Sequence, residues 1–576
     1  MRARRAVATA LESPLTWVLA LAFAFRVVGV GWGLPASDGW DNDGVAPRDF
    51  LAGLVQTFVP GKFFTYPPLH LLVLGILTLP VTVIALVRAP SLTPTDVIHE
   101  IIKVPYMTVI AYAARATTIV LSLAVVYAIA KIAEELRGPR AGWCAAAVCA
   151  VNAPLTYYAK TSNLDVPYLF WSSLAMLALV RAVARREPRR LRTMAVCAGL
   201  ALGTKDQAYA LFIGCVPASC ALWFLLDPWA RAQARRILRE LGVAGLTVAG
   251  VVLVVDGVLF NPTGFRARVA FLIGPASQNF VNYTNDWAGR ALIIRDSVAL
   301  FDRFYPWAFA VFVLLGGVLV TTRGHRTQEA KFVAGSIPAL GALSFTVAFN
   351  CVARRTELRF LLPQALLLVV YAGIGVEALV FEVRATFPRR VAQGAVGLAF
   401  AVAAFGCANV DANLLLDPRY ACEAWLQANV ATGDTLEVYG LNVYLPRLPG
   451  RARITRVGPD PVDRRSPLPG VLEVEDAYGR AQARRPHYVV VSDGWVWRYR
   501  WAPDPNDHRL EPGRARAPTH LEDAADRDAV AFFRGLFAGA RGYRLAHTSS
   551  LGSRLWSPID YHASTSRTIW VFERQD

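Results

Sequence analysis

Short arginine-rich stretches alternate with long apolar runs along most of this chain, and this alternation constrains its fold more than any other sequence feature. The arginine-rich connectors lie at residues 1–5, 131–140, 181–192, 227–240, 321–331 and 381–390. In membrane proteins, short loops rich in Lys and Arg concentrate on the cytoplasmic side. We therefore expect the six connectors to share that side, and the loops 34–107 and 160–165 to lie together on the other.

The composition also predicts a membrane protein. Hydrophobic residues make up 55% of the 576 residues, and the mean hydropathy of +0.36 is high for a soluble chain. A formal net charge of +17 would favour nucleic-acid binding in a soluble protein. Here much of the charge lies in the connectors, and no basic module with interleaved aromatic residues is visible, so no nucleic-acid partner is expected.

Eleven membrane crossings are predicted, because about 20 apolar residues are needed to cross the hydrocarbon core. The shortest of the eleven, 193–204, is counted as a crossing to keep its neighbours on alternate sides. The predicted spans are residues 14–33, 108–130, 142–159, 166–181, 193–204, 207–226, 242–260, 305–321, 332–350, 360–380 and 391–411.

The apolar segment 67–88 is predicted not to cross. A crossing there would move five of the six arginine-rich connectors to the outer side, against the charge rule. Its prolines, Pro67, Pro68 and Pro80, also disfavour one unbroken helix. We expect this segment to lie at or dip into the outer interface and return to the same side.

The chain changes character after residue 411, where charge, proline and glycine become abundant. The stretch 417–440 predicts a helix that ends near Gly433 and then a strand, and HYVVVSDG and RTIWVFER predict further strands. The predicted fold class is an all-α polytopic membrane bundle over 1–411, whose outer loop 34–107 contains interfacial helices. A soluble extracytoplasmic α/β domain over 412–576 follows it.

Carboxylates mark a candidate site on the outer side. The WDNDG sequence places Asp41 and Asp43 in one turn after the first span, where they could share a cation or accept a proton from a hydroxyl. Asp165 lies at the outer mouth of the third and fourth spans, and could instead cap the helix that follows. Lys205 interrupts an apolar run, where a charge is costly unless it faces a wet cavity.

Basic side chains are predicted near these carboxylates. Arg115, Arg355 and Arg359 fall on the outer side, where a phosphate group would suit their guanidinium forks. Snorkelling, or pairing with Glu357, is the structural alternative. His70 is a ligand candidate, although a lone histidine near an interface is more often structural. It is assigned with Tyr66 and Lys160 to the lining of a substrate cavity.

The order of these motifs resembles a known family. An early acidic pair, YPPL (66–69), Ala114-Arg115, an outer aspartate, GTK (203–205) and RFLLP (359–363) resemble the GT-C glycosyltransferases over about residues 14–380. The most similar branch contains the protein O-mannosyltransferases and the lipid A aminoarabinose transferase. The resemblance implies a helical bundle whose outer cavity binds a polyprenyl-phosphate sugar and transfers the sugar to an acceptor.

The resemblance also implies roles for residues. The first-loop acid of the family matches Asp41 or Asp43, and its second-loop aspartate matches Asp165. The family usually has Asp-Glu where this chain has Asp-Asn-Asp, so the choice of base between the two stays open. Tyr66 stands where lipid A transferases have a lysine, which weakens lipid A as the acceptor.

The expected reaction is an inverting sugar transfer on the outer face. Asp43 or Asp41 would act as the base, while Arg115, Lys205, Arg355 and Arg359 would bind the donor phosphate. A divalent metal (magnesium, manganese or zinc) at Asp41, Asp43 and Asp165 is an open alternative, because the loops offer too few assured ligands to predict one.

The expected partners are a polyprenyl-phosphate sugar, membrane lipids and an acceptor protein, glycolipid or polysaccharide. The expected location is the bacterial inner membrane, with a cytoplasmic amino terminus. A transporter or flippase of lipid-linked substrates is the alternative function. A transporter would have charged residues along a passage between two related halves, whereas the ionisable residues of this chain cluster at one face of the predicted bundle.

Overall fold

A bundle of apolar helices and a smaller mixed α/β domain make up the computed structural model of this protein. The structure describes residues 13–45, 49–274, 281–327, 329–500, 512–515, 524–551, 561–562 and 564–575. The helices of the bundle are α1 Pro14–Val27, α2 Asp49–Phe58, α3 Leu69–Leu77, α4 Leu79–Arg88, α5 Pro94–Ile101, α6 Val104–Arg137, α7 Pro139–Ala150, α8 Ala153–Ala159, α9 Asp165–Ala184, α10 Arg190–Leu202, α11 Tyr209–Phe212, α12 Cys215–Leu226, α13 Pro228–Ala232, α14 Ala234–Val255, α15 Pro262–Ile273, α16 Trp287–Ala299, α17 Phe301–Phe304, α18 Ala308–Thr327, α19 Glu329–Phe345, α20 Cys351–Ala353, α21 Leu358–Glu377 and α22 Thr386–Leu415.

The bundle is that of a multi-pass membrane protein. Within the described ranges, seven helical segments are long and apolar enough to cross a membrane, or up to nine if two bent pairs each count as one span. Three further predicted spans, 14–33, 142–159 and 193–204, contain the shorter helices α1, α7, α8 and α10. The predicted total of eleven crossings therefore stays a prediction.

The segment 67–88 forms two helices rather than one. Helices α3 and α4 meet at a bend of 63°. Pro80 lies in the first turn of α4, where its missing N–H leaves no helical hydrogen bond unmade. The prediction that proline interrupts this segment is confirmed, while its depth in the membrane stays a prediction.

Ion pairs gather several of the arginine-rich connectors at one end of the bundle. Arg185 pairs with Glu135 at 2.6 Å and Arg186 with Asp227 at 2.9 Å. Arg137 reaches Glu382 at 2.8 Å. The connectors 131–140, 181–192, 227–240 and 381–390 therefore lie together, as expected for loops that share one side of a membrane.

The carboxy-terminal domain contains one six-stranded sheet. Its strands are β1 Thr435–Tyr439, β2 Arg453–Gly458, β3 Val471–Glu475, β4 Tyr488–Ser492, β5 Tyr543–Ser549 and β6 Ile569–Arg574. The spatial order is β3-β2-β1-β4-β6-β5, with parallel pairing from β3 to β4 and antiparallel pairing of β6 with both neighbours. The helices are α23 Pro418–Asn429, α24 Ala481–Arg484, α25 Asp493–Arg500 and α26 Ala524–Phe537. The helix and the three strands predicted from the sequence are confirmed.

A buried ion pair joins this domain to the first outer loop. Arg419 pairs with Asp417 at 2.6 Å, and both side chains are fully buried. Asp417 also accepts a hydrogen bond from the indole N–H of Trp32, at 2.9 Å. The guanidinium of Arg419 stacks over Trp40 at 4.1 Å and donates to the carbonyl of Ser564 at 2.7 Å. Arg419 therefore fixes the first outer loop against the end of the chain.

Candidate active site

The predicted acidic pair lies in a tight turn of the first outer loop. The backbone N–H of Asp43 donates to Asp41 Oδ1 at 2.9 Å, and the N–H of Gly44 donates to the carbonyl of Asp41 at 3.1 Å. The N–H of Val45 donates to the carbonyl of Ser162 at 3.0 Å. This last bond attaches the turn to the second outer loop, which brings the two acidic loops together.

Asp43 is held by two basic side chains. His562 Nε2 lies 2.8 Å from Asp43 Oδ2, and Arg359 forms an ion pair with the same oxygen. Burial would raise the pKa of Asp43, but the hydrogen bond from His562 and the charge of Arg359 outweigh it and hold that pKa well below its usual range. Asp43 is therefore ionised at neutral pH and is a weak proton acceptor.

His562 is the functional side chain that sequence reasoning missed. Its ring is stacked on Tyr157, with centroids 5.4 Å apart and an interplanar angle of 17°. The backbone N–H of Ser564 donates to His562 Nδ1 at 3.2 Å, so the neutral ring carries its proton on Nε2 and donates it to Asp43. Burial lowers the pKa of His562, while Asp41 and Asp43 more than offset this and raise it.

Asp165 pairs with Lys205, as their proximity in the predicted outer layer suggested. The ammonium lies 2.7 Å from Asp165 Oδ1 and 5.6 Å from the centre of the Tyr168 ring. Asp165 is 1% exposed, and Leu164, not Asp165, occupies the N-cap position of α9. The helix-cap alternative is therefore wrong, and the buried carboxylate depends on Lys205 for compensation.

Arg359 pairs with the first acidic loop and lies within range of the charge of the second. Besides Asp43, it contacts Glu357 Oε2 at 3.1 Å, and the charge of Asp165 also acts on it. Arg355 pairs with the other oxygen of Glu357. The pairing of these arginines with Glu357 that the sequence left open is thus present, and it does not prevent Arg359 from reaching the site.

Two predicted site residues have structural partners instead. Arg115 is buried and donates to the carbonyls of Val30 and Trp32, the latter at 2.8 Å. Lys160 is 1% exposed, donates to the carbonyls of Phe25 and Val28 at 2.7 and 2.8 Å, and pairs with Asp411. Carbonyls in and just after α1 occupy both cations, so this structure corrects their predicted contact with substrate.

Tyr66 and His70 lie at one margin of the bundle. His70 is 3% exposed within α3, and Tyr66 packs against the apolar cluster that includes Phe50 and Leu71. The neighbouring N–H of Leu69 donates to the carbonyl of Gly203 at 2.9 Å, which joins the YPPL and GTK motifs. Their assignment to a substrate cavity stays a prediction.

Asp41, Asp43 and His562 form a cluster in which one potential ligand atom of each lies within 4.8 Å of the others. Two observations oppose a metal ion in this arrangement. His562 presents a protonated Nε2, because its Nδ1 accepts from Ser564, and Arg359 already occupies the Asp43 oxygen. In the other expected ligand set, Asp41, Asp43 and Asp165, Arg359 pairs with Asp43 and Lys205 pairs with Asp165. These residues do not fit a metal as they are arranged.

Residues 107–255 match the family model described as dolichyl-phosphate-mannose-protein mannosyltransferase. A solved structure of ArnT from Cupriavidus metallidurans bound to undecaprenyl phosphate aligns with a TM-score of 0.50 at 15% identity, over 84% of this chain and 93% of that one. This chain has the GT-C fold. The fold class expected from the sequence is thereby confirmed.

Two other proteins are similar to this GT-C chain. The oligosaccharyltransferase AglB from Archaeoglobus fulgidus, solved with an inhibitory peptide and a dolichol-phosphate, aligns with a TM-score of 0.46 at 11% identity, over 97% of this chain and 88% of that one. An undecaprenyl-diphosphatase of Prochlorococcus marinus (strain MIT 9303) is 31% identical over 168 residues, which cover 28% of this chain. The chain spans about half the length of that curated relative, 53%.

Proposed function

We propose that this protein is a membrane glycosyltransferase that moves a sugar from a polyprenyl-phosphate donor to an acceptor hydroxyl. The meeting of Asp41, Asp43 and Asp165 with Arg359, Lys205 and His562 in one partly buried site carries the proposal. Support also comes from the GT-C fold and from the match of residues 107–255 to a mannosyltransferase family model. A prenyl-phosphate donor needs an apolar region beside basic groups, and the bundle provides both.

Asp41 is the general base in this proposal. Its Oδ1 is used by the N–H of Asp43, while its Oδ2 has no hydrogen-bond partner in the described part of the chain. Asp43, in contrast, pairs directly with both His562 and Arg359, whereas His562 lies 3.7 Å from Asp41 Oδ1. The carboxylate with an unpaired oxygen is better placed to accept a proton, so Asp43 becomes the residue that positions the turn.

The chemical step exchanges one bond at the anomeric carbon for another. The acceptor oxygen attacks that carbon as its proton passes to Asp41 Oδ2, and the bond from the carbon to the phosphate oxygen breaks with its electron pair. Lys205 and Arg359 stabilise the charge on the departing phosphate, with Arg355 beside them. Attack opposite to the leaving group inverts the configuration of the sugar carbon.

The same proposal fixes the orientation of the protein. The site and the carboxy-terminal domain lie on the extracytoplasmic side of a bacterial inner membrane, and the arginine-rich connectors lie in the cytoplasm. The donor tail remains in lipid, and the acceptor reaches the site from outside the membrane.

The test uses the full-length protein in proteoliposomes with radiolabelled polyprenyl-phosphate hexoses and a membrane extract. We expect label to leave the prenyl lipid and enter one fraction of the extract, and the double variant Asp41→Asn/Asp43→Asn to abolish this transfer while still inserting. The matched control is Asp96→Asn, in the first turn of α5 within the same outer loop.

Two results would favour other functions. Movement of the intact lipid between leaflets, with no loss of label from it, would support a flippase. Release of inorganic phosphate from undecaprenyl diphosphate without sugar transfer would support the activity named for the Prochlorococcus relative.

A further inference from the structure

A cleft of about 280 Å³ opens between the first outer loop and the carboxy-terminal domain. Asp38, Asp41 and Asn42 line one wall, and residues that follow β1 and β2 line the other, among them Asn442. Asn442 Nδ2 donates to Asp38 Oδ2 at 2.9 Å across the junction of the two walls. The cleft therefore begins directly beside the carboxylates of the active site.

The sheet places this cleft where open α/β sheets bind ligands. The chain runs from β1 to β2 on one side of β1 and later returns to β4 on its other side, so the strand order reverses at β1. Ligands in such sheets occupy the crevice at the carboxyl ends of the strands at this reversal. Gly440, directly after β1, has φ +90° and approaches Trp495 so closely that a Cβ there would lie 2.5 Å from the indole. The close packing of the chain against the buried Trp495 thus depends on a glycine.

An unpaired polar atom lies at the active-site end of the cleft. Asp41 is 7% exposed, and its Oδ2 has no hydrogen-bond partner among the residues described. A buried carboxylate oxygen without a donor is costly, and a hydroxyl group of a ligand would satisfy it. Asp41 Oδ2, the base of the proposed reaction, therefore has no hydrogen-bond donor among the residues described, and the hydroxyl group of an acceptor would supply one.

The cations that line the cleft are already engaged. Arg456 pairs with Glu473 at 2.7 Å and donates to the carbonyl of Ser466 at 2.7 Å. Arg465 donates to the carbonyls of Gly458 and Val474, at 2.5 and 3.0 Å. A phosphate or sulfate group would have to displace these partners and would also face the carboxylates of Asp38, Asp41 and Asp460.

The exposed groups of the cleft suit a neutral, hydroxyl-rich ligand. Asp460 and Asn42 are exposed, whereas the rings of Trp495 and Tyr478 at the inner wall are buried. Carboxylates and amides accept hydrogen bonds from hydroxyl groups. We infer that this cleft binds the acceptor and that the acceptor is a neutral carbohydrate, whose terminal sugar presents its hydroxyl to Asp41.

A peptide acceptor fits this place less well. The cleft is slightly smaller than typical small-molecule pockets, and it lies at strand ends. Addition of a peptide strand requires a sheet edge, and the edges here are β3 and β5. The inference rests on the proposed function, but binding of the acceptor can be measured without any donor.

The experiment measures binding of maltotriose, mannotriose, galactotriose and chitotriose to the full-length protein in lipid nanodiscs by saturation-transfer NMR, with no donor present. Leu441, which lines the cleft and is 48% exposed, is changed to Trp to fill it. Leu472→Trp on β3, at a site 64% exposed, is the matched control. A second pair is Asp460→Asn and its control Asp463→Asn, three residues further along.

We expect at least one trisaccharide to bind, Leu441→Trp to abolish the signal, and Asp460→Asn to weaken binding about tenfold, as for loss of one hydrogen bond to a charged group. The two controls should bind like the wild type. Absence of binding by all four sugars, or equal binding by Leu441→Trp, would overturn the inference. Competition by a Ser/Thr-rich peptide in place of a sugar would overturn it in favour of a protein acceptor. Sugar binding with no consumption of any prenyl-linked donor would instead refute the proposed transferase and leave the carbohydrate cleft in place.

Discussion

Replacing Asp41 by asparagine tests the role of this residue as a proton acceptor without disturbing the fold of the turn. The amide oxygen of the new side chain can still accept from the N–H of Asp43, which Asp41 Oδ1 now does at 2.9 Å. The NH₂ group of the amide replaces Oδ2, the oxygen that has no partner in the described chain, in a residue that lines the cleft. The variant therefore keeps the geometry of the turn but cannot accept a proton.

The size of the effect follows from the role of a positioned base. Loss of such a group lowers the rate by about 10²- to 10⁴-fold, which is about 3 to 5 kcal/mol in the activation barrier. We expect Asp41→Asn to lower kcat by this factor with little change in the KM for the donor or in the melting temperature. Asp43→Asn should differ, because it weakens the contacts with His562 and Arg359 and so lowers stability together with activity.

The assay is transfer of label from a polyprenyl-phosphate hexose in proteoliposomes, with melting temperatures measured on the same preparations. Addition of formate to Asp41→Ala gives a second readout, since a small carboxylate in the vacated space should restore part of the rate. The reasoning would be refuted if Asp41→Asn kept full activity, or if Asp43→Asn lost more kcat than Asp41→Asn while melting normally.

Three further predictions concern the cluster and its supports. His562→Gln should destabilise the protein most between about pH 4 and 6.5, the ordinary pKa values of Asp and His. The pKa of Asp43 is lowered in the folded protein, so this group stabilises the fold above about pH 4, whereas the pKa of His562 is raised, so this group stabilises the fold below about pH 6.5. The difference in stability between the variant and the wild type should therefore shrink below pH 4 and as the pH rises through the raised pKa of His562. A flat difference in melting temperature across about pH 3.5 to 8 would contradict this. Arg419→Leu should lower the free energy of unfolding by about 3 kcal/mol, because it leaves Asp417 buried without its cation. The exposed control Arg453→Leu should change the free energy of unfolding by less than about 0.5 kcal/mol. Equal effects of the two variants in urea titrations would argue against a structural role of Arg419. EDTA dialysis should leave sugar transfer unchanged, since His562 offers no free lone pair toward Asp43; activity lost with EDTA and restored by Mn²⁺ would show a metal site.

Local features of the chain were predictable because each leaves a pattern in nearby residues. Pro80 predicted the break between α3 and α4, and the strand sequences near 435, 488 and 569 predicted three of the six strands. The acidic turn at Asp41 and Asp43 was equally visible, since both carboxylates lie in one short motif. Their proximity to Lys205 and Asp165 required only that the outer loops share a side.

The remaining contacts depend on where distant segments dock, which the sequence does not encode locally. His562 meets Asp43 across 519 residues, and one histidine in a polar segment carries no pattern that distinguishes it from a surface residue. Arg115 was predicted to bind the donor phosphate, and Lys160 was predicted to line the substrate cavity. Whether such a cation faces a phosphate or a backbone carbonyl depends on the path of the chain in and after α1, and here carbonyls of that stretch are the acceptors.

The contact between His562 and Asp43 gives the protein an order of assembly. The turn with Asp43 leaves the ribosome early, but its histidine partner is added only after the whole helical bundle and most of the sheet have been made. A chain without this segment would have an acidic turn that lacks its histidine partner. In the proposed reaction, transfer would therefore require a folded carboxy-terminal domain, because that domain supplies the histidine that contacts Asp43.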